Sequence, residues 1–81
     1  MTNFIAGDTT TLHVWTLYDH PRDHPDAFVA RRHVVVGGAT APTPDMFVAD
    51  SLEELRALLP GGLVCVPRSA LDEPTIVESW L

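Results

Sequence analysis

The run Thr11-Leu12-His13-Val14-Trp15-Thr16-Leu17-Tyr18 is dense in β-branched and aromatic residues. Such side chains fit a pleated surface better than a helix, so the run predicts a first strand. A doubled unit, Asp19-His20-Pro21 and Asp23-His24-Pro25, interrupts it. Each proline removes a backbone donor and biases the preceding His20 or His24 toward extended backbone. Strand character resumes over Phe28-Val29-Ala30-Arg31-Arg32-His33-Val34-Val35-Val36 and stops at Gly37-Gly38. Residues 39–45, with Pro42 and Pro44, read as a loop, and Met46-Phe47-Val48 as a short edge strand or packed coil.

The clearest element is Ser51-Leu52-Glu53-Glu54-Leu55-Arg56-Ala57-Leu58-Leu59. Ser51 as N-cap with Glu54 three residues later is a capping box, and acids in the first turn suit the helix dipole. Leu52, Leu55, Leu58 and Leu59 form one stripe, expected to pack on the sheet, and Pro60-Gly61-Gly62 ends the helix. Leu63-Val64-Cys65-Val66 reads as a buried strand closed by Pro67. Pro74 can open a helix, yet the β-branched Thr75-Ile76-Val77 favours a final strand instead. Residues 1–9 are expected to be a flexible leader. The fold class is α+β: a small antiparallel sheet of four to five strands with one α-helix packed on one face, in a single domain over 1–81.

Pairing the first two strands as a hairpin with Tyr18 opposite Phe28 puts Leu17 opposite Val29, Trp15 opposite Arg31 and His13 opposite His33. These six would share one partly exposed face. Leu12, Val14, Tyr18, Phe28, Arg32 and Val34 would turn toward the helix. A slip of one residue exchanges the faces, so this register is a sharp expectation. On it, Trp15 beside Arg31 is a candidate cation–π pair and interface anchor.

Charge changes the picture of the partner. Eleven Asp and Glu against five basic residues, all of them arginine, give a formal net charge of −6. A phosphate backbone is repelled by such a surface, whereas a basic protein or ribonucleoprotein surface is attracted. Direct nucleic-acid binding is therefore not expected. The single cysteine, Cys65, excludes an internal disulfide and reads as a small buried hydrophobe. No segment approaches the ~20 apolar residues of a membrane span, and the N-terminus has no basic targeting region. A cytoplasmic protein is expected.

Four histidines invite a metal or acid–base reading, through His20 with His24 or His13 with His33. Each pair is half a site, since a transition metal wants three or four convergent ligands. Asp19, Asp23 or Asp26 would have to complete the set. No nucleophile elbow, phosphate-binding glycine loop or two-carboxylate signature accompanies them. The expectation is no catalytic residue, no metal and no cofactor, with a small metal-dependent or His/Asp enzyme as the alternative. A homodimeric structural or accessory protein is a further one.

Leu17-Tyr18-Asp19-His20-Pro21, Phe28-Val29-Ala30-Arg31, Ser51-Leu52-Glu53-Glu54-Leu55-Arg56, Leu59-Pro60-Gly61-Gly62-Leu63 and Pro74-Thr75-Ile76-Val77-Glu78-Ser79-Trp80-Leu81 together resemble small phage and prophage proteins of alphaproteobacteria. No biochemical activity comes with that likeness. Within such sets a short acidic chain also looks like an anti-CRISPR inhibitor of a type I system. That resemblance implies occupation of the basic target-DNA surface of a CRISPR surveillance complex in the bacterial host cytoplasm. Candidate partner-binding residues are Asp19, Asp23 and Asp26 on the loop, Glu53 and Glu54 on the helix, and Trp15 with Arg31 on the hairpin.

Overall fold

A computed structural model describes residues 11–68 and 74–81 of the chain. Its elements are β1 (Leu12–Asp19), β2 (Phe28–Val36), β3 (Ala39–Ala49), α1 (Leu52–Leu58), β4 (Cys65–Pro67) and β5 (Ile76–Trp80). The five strands form one antiparallel sheet in the order β3-β2-β1-β5-β4, with α1 on one face. This is the α+β architecture that the pattern predicts, with the tail as a strand. The leader expected over residues 1–9 lies outside the described residues.

The β1–β2 register differs from expectation by one residue. Asp19 lies opposite Phe28, Leu17 opposite Ala30, Trp15 opposite Arg32 and His13 opposite Val34. The strand runs on through Asp19 because its N–H donates to Thr75 O at 2.7 Å, and the hairpin closes one step later, where His20 N–H donates to Ala27 O at 3.0 Å. His20 takes φ 50°, in the left-handed region rather than extended. That conformation is uncommon for a non-glycine residue, though histidine is among those enriched in it. Here it turns the chain and sets the His20 ring edge-on to Phe28, with centroids 5.0 Å apart.

The one-residue slip turns β1 over relative to β2. Phe28 and Arg32 take the helix side as anticipated, with Ala30 between them, but β1 contributes Trp15 and Leu17 to that side in place of Leu12 and Val14. Burial explains the choice, because Trp15 and Leu17 offer more apolar area than Leu12 and Val14. Trp15 is 5% exposed, and Leu17, Ala30 and Leu55 are fully buried with it. Phe28, Phe47, Ala49, Leu52, Leu59, Leu63 and Trp80 surround them.

β3 is the largest departure from the predicted elements. Residues 39–45 are strand, not loop, and Met46-Phe47-Val48 is the second half of the same 11-residue element. Gly37 and Gly38 have φ 57° and 83°, the pair of positive values that a two-residue hairpin turn demands, so the chain folds straight back on β2. Pro42 and Pro44 are tolerated because β3 is an edge strand. Between Arg31 and His33 the pairing jumps from Met46 to Pro42, a bulge that gives β3 extra residues. Thr43 holds it: its hydroxyl donates to Arg32 O at 2.9 Å and accepts from Asp45 N–H at 3.3 Å.

Helix α1 starts as its sequence predicts, with Ser51 Oγ accepting from Glu54 N–H at 3.1 Å. Leu52, Leu55 and Leu59 of the stripe reach the core, whereas Leu58 is exposed. Beyond Leu63, which touches the core, the apolar run before Pro67 is also not buried. β4 is a three-residue edge strand with Cys65, Val66 and Pro67 all exposed.

Candidate functional site

The strands bring the acidic residues to one end of the sheet. β1 ends at Asp19 and β2 begins at Phe28, so the loop that carries Asp23 and Asp26 projects from that end. Phe28 also lies opposite Ala49, where β3 ends, and Asp50 and Ser51 lead directly into α1. Asp19, Asp23, Asp26, Asp50, Glu53 and Glu54 therefore gather about one rim, and all six are exposed.

Two of the arginines are committed to other carboxylates. Arg32 donates from Nε to Asp45 at 2.7 Å, pairs with the same carboxylate through its NH2 group, and contacts His13 Nδ1 at 2.7 Å. Arg56 donates to Glu78 through two bonds, of 2.8 and 2.6 Å. Arg22 lies in the loop itself, exposed, and Arg31 reaches the loop from β2 to pair with Asp23. Asp19 pairs with His20. Asp26, Asp50 and Glu54 have no ion pair among the described residues, and Glu53 lies within electrostatic reach of Arg56.

Trp15 and Arg31 do not form the predicted anchor. Trp15 points under the helix and stacks on Phe47, with centroids 5.0 Å apart and planes at 15°. Arg31 lies opposite Thr16 on the other face. The same slip separates the hairpin histidines: His13 faces Val34 on the helix side, and His33 faces Val14 on the open side. In the Asp-His-Pro loop, His24 N–H donates to Pro21 O at 2.9 Å and Ala27 N–H to His24 O at 3.3 Å, so the backbone makes successive turns. Among the described residues no three His, Cys, Asp or Glu side chains converge as a metal site. No described helix is long and apolar enough to cross a membrane.

One polar cluster is invisible in the sequence pattern. Glu78 lies opposite Leu17 on β1 and Pro67 on β4, on the helix side, and is only 6% exposed. Arg56 on α1 reaches across to bind it bidentately. Trp80 Nε1 donates to Glu78 Oε2 at 2.6 Å, and the Cys65 thiol lies beside the carboxylate and helps to hold it ionised. Arg56 holds the Glu78 carboxyl below its ordinary range, outweighing the opposing effect of burial. Its own guanidinium is raised chiefly by the bond to Glu78. Cys65 is exposed as a residue, yet desolvation and the neighbouring carboxylate push its thiol above the usual range. A protonated thiol is a weak nucleophile, so the cluster acts as a clamp between helix and sheet.

Beneath α1 the side chains are buried, while on the opposite face Val29 and Thr16 are buried and Met46, at 39%, and Val48, at 43%, are exposed toward the β3 edge. A hollow lies at the β3 edge, lined by Val48, Ala49, Asp50, Glu54 and Leu58.

No family model matches the chain, and no curated protein and no solved structure matches it.

Proposed function

We propose that this chain is a non-enzymatic binding protein that lays the acidic end of its sheet against a basic surface of a host protein or ribonucleoprotein and so occludes it. The observation that supports the reading is the gathering of Asp19, Asp26, Asp50, Glu53 and Glu54 at one rim, where the acids outnumber the cations Arg22 and Arg31, while Arg32 and Arg56 are committed to Asp45 and Glu78. Charges clustered within about one Debye length, ~8 Å at physiological salt, attract a basic partner jointly and speed encounter. The resemblance to phage and prophage proteins supports the most specific form of the reading. The chain is then an anti-CRISPR inhibitor, acting in the host cytoplasm without cofactor or metal. It covers the basic DNA-binding surface of a type I surveillance complex and does not itself bind nucleic acid.

A plaque assay in a CRISPR-immune host expressing the chain tests this directly. Plaques should return with the parent chain and be lost with paired charge reversal at Asp26→Lys and Glu53→Lys. No rescue by the parent chain would remove the inhibitor role, and full rescue by the reversed variant would remove the acidic-surface mechanism.

A further inference from the structure

We infer that the β3 edge beside α1 is a docking groove for an extended, basic segment of a partner protein, which joins the sheet as a sixth strand. The inference deepens the proposed binding function, and rests on it, by naming how the partner is held. The hollow there is lined by the consecutive residues Val48, Ala49 and Asp50. Val48 and Ala49, neighbours on the strand, point to opposite faces, so what they and the following Asp50 share is the backbone edge. On the helix side the lining is Glu54 and Leu58, four residues apart and hence on one stripe of α1. The groove thus has a strand edge as one wall and a helix flank as the other.

Among the described residues β3 pairs only with β2, and alternate residues of an edge strand turn unpaired N–H and C=O groups outward. Pro42 and the bulge through Pro44 close the first half of β3 to such pairing. The stretch from Asp45 to Ala49 has no proline. The opposite edge is a three-residue strand that ends in Pro67, a much shorter template. Exposed Leu58 offers an apolar contact to alternate side chains of an added strand, and Met46 and Val48 offer it on the other face. Asp50 and Glu54 have no ion pair among the described residues, so the complementary partner is one that carries Lys or Arg between its apolar positions. A second copy of this chain, at a net charge of −6, complements the groove poorly.

The test uses a capped hexapeptide of alternating lysine and valine, its backbone N-methylated counterpart, and a glutamate–valine analogue, each titrated into the full chain by NMR. Amide shifts should concentrate at residues 45–50, Glu54 and Leu58, and affinity should fall roughly tenfold with Asp50→Lys and with the N-methylated peptide. The N-methylated peptide leaves the protein untouched, so the result stands even if the variant folds poorly. Equal binding of the N-methylated or glutamate peptide, or shifts centred on Asp26 and Glu53, would overturn the groove. So would a dimeric mass by light scattering that Leu58→Asp reduces to the monomer, since the occupant would then be a second copy. Plaque rescue without peptide binding removes the groove alone, and peptide binding without rescue removes only the inhibitor role.

Discussion

Under α1 the sheet is closed and internally satisfied: Trp15 stacks on Phe47, Leu55 is fully buried, and even the charged Glu78 finds Arg56, Trp80 and Cys65. The opposite face keeps a buried Val29 but leaves Met46 and Val48 in water. The contrast shows where this small chain concentrates its stability. Seven helical residues cover one side, and a two-pronged ion pair fixes them there. The β3 margin of the other side, where Met46 and Val48 are exposed, contributes less to holding the fold.

The largest effect that sharpens this contrast should come from Leu55→Ala. It removes a fully buried side chain at the middle of the helix–sheet contact and should cost about 3 kcal/mol in urea unfolding. Arg56→Ala should cost about 2 kcal/mol, because it strands a buried carboxylate, whereas Glu78→Gln should cost less because the half-exposed Arg56 can turn to water. The two variants also separate by pH. In the parent chain the Glu78 carboxyl is depressed by Arg56, so its contribution to stability is present above the unfolded carboxyl value and is lost as pH falls through the folded one. In Arg56→Ala the largest cause of that depression is gone and burial is opposed only by Trp80 and Cys65, so the loss of stability on acidification should shrink, as urea midpoints between about pH 6 and pH 3 would record.

A smaller loss of about 1 kcal/mol is expected for Ser51→Ala, through the N-cap bond to Glu54 N–H, with the change confined to helix protection in hydrogen exchange. The smallest should be Val48→Ala on the open face, within about 0.5 kcal/mol by thermal melt. A loss there as large as that of Leu55→Ala would erase the distinction between the two faces.

Local chemistry made much of this legible. The capping box at Ser51 and the stop at Pro60-Gly61 predicted α1, and the β-branched run before Glu78 predicted β5. The register was not legible, because nothing in Tyr18-Asp19-His20 announces that β1 continues through Asp19 and that His20 makes the left-handed turn. One residue of slip was enough to dissolve the predicted Trp15–Arg31 and His13–His33 pairs. The first half of β3 was hidden by Pro42 and Pro44, which mark a loop in isolation but are harmless on an edge. Cys65 looked buried because its neighbours are apolar, although sheet order alone decides that β4 is exposed. Of the site, the acids were readable one by one. Their assembly at one rim, and the Glu78 clamp that spans 22 residues to Arg56, depend on tertiary pairing that spacing does not encode.

The sheet order also carries a kinetic consequence. β1, β2 and β3 are joined by short connections and can pair as a meander from local contacts alone, but β1 finds its other neighbour in β5, about sixty residues further along the chain. Closing that long loop is the slow entropic step, and the arrival of β5 is also what brings Glu78 to Arg56 and Trp80 alongside Trp15. Refolding followed by tryptophan fluorescence should therefore report mainly this late closure. Substitutions in β5 should speed unfolding more than they slow the initial pairing of the meander.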